Sequence, residues 1–201
     1  MPAFLMVAAF SYLLGSIPFG YILLGIFRGE DVRQTGSGNI GATNVARSSP
    51  GLGILTLVLD ALKGLTAVLL TRELFPGQTL LAGIAALFAI LGHMFSIWLK
   101  FRGGKGVATG LGSFAVIAPK AILVMVCVFL VLVLAFRYVS LASVVGVALF
   151  PLLACLLDGY GHASQMLAII IIASVLIIAK HQENIQRLLA GTESRFQLRH
   201  G

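Results

Sequence analysis

The chain has 201 residues, 59% of them hydrophobic and only 10% charged, and a formal net charge of +7 from 14 Lys and Arg against 7 Asp and Glu. Water-soluble domains run near 25% charged, so a soluble fold is excluded and the expected fold is an all-α integral membrane bundle forming one domain over residues 1–201. Cys127 and Cys155 both lie inside apolar runs and read as core or lipid-facing residues, not as a disulfide or metal pair.

A spanning helix needs about 20 apolar residues. The first run, residues 4–27, has no basic residue before it and is longer than a signal-peptide core, so it is read as a span, with Ser16 and Pro18 predicting a kink. Residues 51–71 follow, with Asp60 and Lys63 spaced i, i+3, and then residues 79–99, with His93 near the end. Residues 106–118 are apolar but short and glycine-rich, which predicts a short or partly re-entrant helix. Residues 121–136, 141–157 and 165–180 complete a set of about seven transmembrane helices.

Basic residues set the orientation. With seven spans and an outer N-terminus, Arg28, Arg33, Arg47, Lys100, Arg102, Lys105, Arg137, Lys180, Arg187, Arg195 and Arg199 fall inside. Only Arg72 and Lys120 fall outside, and Lys63 lies within a span. With six spans the loops after Gly106 change sides and this 11-to-2 asymmetry drops. A basic balance also suits nucleic acid, but here the charges sit in short loops between apolar runs, so no nucleic-acid partner is expected. The polar material gathers in residues 28–49, 100–109 and 180–201, all cytoplasmic in this arrangement.

The first polar segment holds Gly36, Ser37, Gly38, Asn39, Gly41, Thr43, Asn44 and Arg47. Glycines let backbone N–H groups surround an anion, the hydroxyls and amides add neutral donors, and Arg47 can clamp a phosphate through two parallel hydrogen bonds. Gly36, Gly38 and Gly41 also fit G-x-G-x-x-G, with Asp60 about 20 residues on. The preceding run is a membrane span and not a strand, which excludes a dinucleotide fold. The plain alternative is a flexible surface loop.

In the second segment Gly103, Gly104 and Gly106 surround Lys105, with Thr109 just beyond. A lysine among bare backbone N–H groups is a phosphate site by type, and a helix starting at Gly106 would aim its dipole at the same anion. It is not a Walker A loop, because Gly106 follows the lysine where Ser or Thr is needed. A basic turn obeying the positive-inside rule explains the charges but not the glycines. In the third segment, His181 and Asn184 share a face if the last span continues, and Glu193 follows a helix stop at Gly191. The alternative there is an amphipathic tail with Arg187 on lipid headgroups.

Charges at membrane depth are costly unless paired, so Asp60 and Lys63 are expected to pair in a supporting role. His93 is read as a hydrogen-bonded packing histidine, and Asp158 and His162 as outer-loop residues.

Three motifs carry a resemblance. Ser-Gly-Asn-Ile-Gly-Ala-Thr-Asn-Val-x-Arg occupies 37–47. Gly-His-x-Phe at 92–95 leads to Phe-x-Gly-Gly-Lys-Gly-Val-Ala-Thr at 101–109. His-x-x-Asn-Ile-x-Arg-Leu-x-x-Gly-x-Glu occupies 181–193. In order, spacing and side of the membrane the chain resembles the acyl-phosphate-dependent glycerol-3-phosphate acyltransferases of bacterial membranes. The resemblance implies a seven-helix enzyme of the cytoplasmic membrane, with its site on the inner face. It would move a fatty acyl group from acyl phosphate to the sn-1 hydroxyl of glycerol 3-phosphate, giving lysophosphatidic acid and phosphate. The His-x4-Asp motif of other glycerolipid acyltransferases is missing, since Trp98, Leu167 and Gln186 stand at the partner positions of His93, His162 and His181.

The catalytic group implied is Ser37, Lys105, His181 and Asn184. Gly36, Gly38, Asn39, Gly41, Thr43, Asn44, Arg47, Gly103, Gly104, Gly106 and Thr109 would bind substrate, supported by Asp60, Lys63, His93 and Glu193. In this reading Gly103, Gly104 and Gly106 cradle the acyl phosphate, while Lys105, Ser37, Arg47, His181 and Asn184 hold glycerol 3-phosphate. His181 or the donor's own phosphate would serve as general base. No cofactor or metal is expected, the surrounding partners are membrane lipids, and the monomer is expected to be active. The competing class is a transporter of a phosphorylated solute, which would place its polar residues near the midplane rather than on one face. A non-catalytic scaffold would have no use for Lys105 and Arg47 among glycines and amides.

Overall fold

The computed structural model describes residues 2–162 and 164–195; Arg199, counted above with the inner cations, and the side chain of His162 lie outside the described residues. The chain is helical, with no strand among the described residues, and divides into two compact units, Met1–Ile117 and Ala118–Gly201.

In the first unit, α1 (Pro2–Gly15) and α2 (Phe19–Arg28) are halves of one span, broken at residues 16–18 where Ser16 and Pro18 predict a kink. Proline cannot donate to the helix ladder, and backbone polar groups at membrane depth must find partners. The Ser16 carbonyl accepts from Ser96 Oγ at 2.6 Å and the Ile17 carbonyl accepts from Lys63 Nζ at 2.8 Å. The short α3 (Ala42–Ser48) leads into α4 (Pro50–Leu74), which starts at a proline whose missing N–H is one the first helical turn would leave unpaired. Next come α5 (Thr79–Met94) and α6 (Val107–Ile117). Small residues bring the backbones together. A methyl group on Gly15 or Gly92 would overlap the Ala89 or Tyr12 backbone across the α1–α5 contact, and one on Gly64 or Gly112 would overlap Thr109 or Ala61 across α4–α6.

The second unit comprises α7 (Pro119–Phe136), α8 (Val139–Leu157), α9 (Ser164–Ala179) and α10 (Gln182–Leu189). The Asp158 carboxylate accepts the N–H groups of Lys120 at 3.2 Å and Ala121 at 2.9 Å, so this loop residue caps α7. The last span does not continue straight to Asn184, because α9 and α10 are bent by 56° around residues 180–181. Gly191, at φ +70°, ends the α10 turn as expected of a stop.

Five stretches are long and apolar enough to cross a membrane, and the α9–α10 pair makes a sixth if taken as one bent span. At 11 residues α6 is about 16 Å long, half a bilayer core of about 30 Å, which matches a short buried helix. Apolar side chains such as Leu134, 80% exposed, face outward as lipid contact requires. Both cysteines are free thiols, with Cys127 on the outward face of α7.

Candidate active site

The first polar segment is an ordered structure built around Asn44. That residue is 3% exposed. Its Oδ1 accepts the Ser37 N–H at 2.9 Å, and its Nδ2 donates to the carbonyls of Val32 at 3.1 Å and Thr35 at 2.9 Å. Both ends of the amide are therefore spent on the loop backbone. Beneath it Leu24, Val32, Ile40, Val45 and Leu99 form an apolar cluster, so the loop shares its footing with the turn that opens the second polar segment. Asn39 Oδ1 accepts the Gly41 N–H at 2.8 Å, tightening the approach to α3. Gly36 has φ +54°, and a methyl group there would overlap Asn44 Oδ1 and press on the Arg47 side chain.

Arg47 leaves the last turn of α3 and lies over Gly36, with Ser37 and Thr43 exposed nearby in the chain. The three arginines of this segment differ in one respect. Arg28 lies 3.6 Å from Glu30, and Arg33 grips Asp31 at 2.6 Å while stacking on Tyr21. Hydrogen bonds from Arg33 hold the Asp31 carboxyl below its ordinary range. Among the described residues Arg47 has no carboxylate or hydrogen-bond partner. It is an exposed guanidinium available to an anion.

The second segment corrects one expectation. The N–H groups of Gly103 and Gly104 do not point at an open anion site: they donate to the carbonyls of Met94 and His93, each at 3.0 Å. The two glycines are there because the turn runs against the end of α5, where a methyl group on Gly103 would overlap the His93 carbonyl and one on Gly104 would overlap His93 Nε2. Lys100 and Phe101, at φ 54° and 62°, and Gly106, at φ 87°, reverse the chain so that Lys105 sits at the entry to α6. The first-turn N–H groups of that helix lack i−4 carbonyls. Thr109, in contrast, is fully buried against Gly64 of α4, and its hydroxyl has no partner among the described residues.

Under this turn Asp60 and Lys63 pair at 2.8 Å, as their spacing predicts. Lys63 also reaches His93 Nδ1 at 2.9 Å. All three residues are no more than 4% exposed.

The third segment belongs to the second unit. His181 is 3% exposed, and its Nδ1 lies 2.8 Å from the Ile177 carbonyl. A carbonyl only accepts, so Nδ1 carries a hydrogen and Nε2 is the nitrogen that can exchange a proton. Asn184 donates to Glu193 Oε1 at 2.6 Å, Ser140 donates to the same oxygen at 2.7 Å, and Arg187 Nε donates to Oε2 at 2.7 Å. Burial by itself would raise the Glu193 pKa, but these donors outweigh it and hold the carboxyl below its ordinary range. Ser140 escapes sequence reasoning because a serine in the first turn of a helix has many uses. The same is true of the Ile17 carbonyl, since no side chain marks it.

The molecule is thus a multi-pass helical membrane protein with arginine and lysine set in glycine-rich turns, the chemistry of a phosphate-handling enzyme. It belongs to the glycerol-3-phosphate acyltransferase family, whose profile matches residues 5–191, and it is an acyltransferase. A glycerol-3-phosphate acyltransferase of Trichlorobacter lovleyi is 48% identical over 98% of this chain and 100% of its own. One of Ehrlichia chaffeensis is 44% identical over 96% of each chain. The crystal structure of PlsY (YgiH), an integral membrane glycerol 3-phosphate acyltransferase in its glycerol 3-phosphate form, has TM-score 0.89 and 39% identity, covering 96% of each chain. The lysophosphatidic acid form of that enzyme gives 0.86 and 38%, over 96% of this chain and 95% of its own.

Proposed function

We propose that this acyltransferase takes its acyl group from acyl phosphate and delivers it to the sn-1 hydroxyl of glycerol 3-phosphate. The observation that carries the reading is Arg47. It is the arginine of its segment without a carboxylate partner among the described residues, on a loop ordered by the three hydrogen bonds of Asn44. A planar guanidinium matches the two oxygens of a phosphate. Ser37 and Thr43 add hydroxyl donors, and Lys105 adds a point charge. Asn44 shapes this site rather than touching the substrate, and Gly103 and Gly104 serve by close packing.

The glycerol hydroxyl oxygen attacks the acyl carbonyl carbon, and the bond from that carbon to the phosphate oxygen breaks. The ester forms, phosphate departs with the bonding pair, and the hydroxyl proton passes to a base. Phosphate is already a good leaving group, so no covalent enzyme intermediate is needed. Positioning and stabilisation of the developing oxyanion supply the acceleration. The base is the donor's phosphate or His181, whose Nε2 is the exchangeable nitrogen. Asn184 is held in place by Glu193. The excess of basic residues in the polar segments supports an outer N-terminus and a cytoplasmic site at the inner membrane.

Purified protein in lipid would be given glycerol 3-phosphate and, in turn, palmitoyl phosphate, palmitoyl-CoA and palmitoylated acyl carrier protein. Lysophosphatidic acid formed from the phosphate alone supports the donor assignment; faster product from either thioester overturns it.

A further inference from the structure

The buried ionic group under the Lys105 turn has a determinable hydrogen-bond pattern. Lys63 Nζ has three acceptors within reach: Asp60 Oδ1 at 2.8 Å, the Ile17 carbonyl at 2.8 Å and His93 Nδ1 at 2.9 Å. An ammonium has three hydrogens and no lone pair. One hydrogen faces the carboxylate, an ion partner whose Oδ1 also lies 3.5 Å from His93 Nδ1, and one goes to the carbonyl, because neither acceptor can donate. The third goes to His93, whose Nδ1 must then be unprotonated. An imidazolium there would place an N–H against an ammonium in a site from which water is excluded. His93 is therefore a neutral imidazole with its proton on Nε2, and that nitrogen is the one a methyl group on Gly104 would overlap.

We propose that Lys63 is a positioning residue for the glycine turn bearing Lys105: by donating to His93 Nδ1 it locks the ring with its Nε2–H side against Gly104, and so fixes where the turn departs from α5. Three parts of the chain meet in this lock. The Ile17 carbonyl comes from the break in the first span, Asp60 and Lys63 from α4, and His93 from the last turn of α5. The His93 and Met94 carbonyls hold the Gly104 and Gly103 N–H groups on the same stretch of backbone. A rotation of the ring would press directly on Gly104, and the displacement would pass one residue on to Lys105. The inference deepens the reading of Lys105 as a phosphate-holding residue, and it rests on that reading for its kinetic consequence alone.

The tautomer is measurable without activity. Histidine labelled with nitrogen-15, in lipid at neutral pH, should give for His93 an unprotonated Nδ1 and a protonated Nε2, with His93→Gln assigning the signal. His181 supplies an internal contrast, since the Ile177 carbonyl requires a hydrogen on its Nδ1. The variant Asp60→Asn/Lys63→Met removes both buried charges together and so leaves neither uncompensated. In it the His93 signature should be lost and kcat/KM for glycerol 3-phosphate should fall about 100-fold, the scale of a 1 Å misplacement in an active site. A proton on Nδ1 of wild-type His93 would overturn the proposal, because Lys63 would then be a neutral amine. So would a double variant with undiminished kcat/KM. If the wild-type signature holds while no acyl phosphate donor works, the donor assignment fails and the lock stands.

Discussion

Asn44→Ala separates a loop-shaping asparagine from a substrate-contacting one. The substitution removes three hydrogen bonds, of which the one to the Val32 carbonyl is buried and the other two are partly exposed. The Val32 carbonyl keeps the Thr35 N–H at 3.4 Å and the Thr35 hydroxyl at 3.2 Å, so it is not orphaned, and each lost bond contributes about 0.5–1.5 kcal/mol. The ordered loop should lose about 1.5–4.5 kcal/mol relative to its opened form, roughly a 10- to 1,500-fold shift at about 1.4 kcal/mol per decade. Hydrogen exchange at the Ser37 amide reads this directly, since its acceptor is Asn44 Oδ1. Exchange should accelerate by at least about tenfold, with KM for glycerol 3-phosphate rising alongside it. Asn44→Asp should be worse than alanine, because a carboxylate oxygen would replace the NH2 group facing two carbonyl oxygens. A variant that loses substrate binding while the Ser37 amide stays protected would show that Asn44 touches the ligand itself, and the loop argument would fall.

Gly104→Ala should abolish turnover in protein that still inserts and folds, because the new methyl group overlaps His93 Nε2; full activity would mean the turn is free to shift. Arg47→Lys should raise KM for glycerol 3-phosphate by about tenfold or more through loss of the two-point clamp, and Arg47→Ala should raise it further; an unchanged KM in both would remove Arg47 from the phosphate site. Glu193→Gln should destabilise the second unit by about 1.5–3 kcal/mol at neutral pH, because an amide NH2 would face Arg187 Nε–H in place of a charged acceptor. The Glu193 carboxyl is held below its ordinary range, so its contribution is present above that range and fades as pH falls through the native value. The gap between the melting curves of wild type and variant should therefore narrow as pH falls below the ordinary carboxylate range, and a gap that stays constant through acid titration would refute the charge-based account.

Much of this architecture is legible in the sequence because the bilayer imposes simple rules. Apolar length places the spans, and Ser16 with Pro18 places the break between α1 and α2. The i, i+3 spacing of Asp60 and Lys63 places their ion pair. Glycines are less transparent, because the same residue serves two purposes. Gly36 provides a left-handed turn beneath Arg47, whereas Gly103 and Gly104 allow contact with the end of α5, and only coordinates separate these uses. Asn44 is misleading for a related reason: an amide can bind a ligand or tie a loop, and its partners here are carbonyls with no sequence signature. Thr109 lies one helical turn past the entry to α6, and that rotation takes it from the exposed turn into the α4 contact. The bend between α9 and α10 has no proline or glycine to announce it.

Phosphate release by the purified protein in lipid, given palmitoyl phosphate with and without glycerol 3-phosphate and compared with Lys105→Ala, tests the central claim most directly. The account predicts release that requires glycerol 3-phosphate, matches lysophosphatidic acid mole for mole, and is lost in the variant. Release without glycerol 3-phosphate, or undiminished turnover in Lys105→Ala, would contradict it.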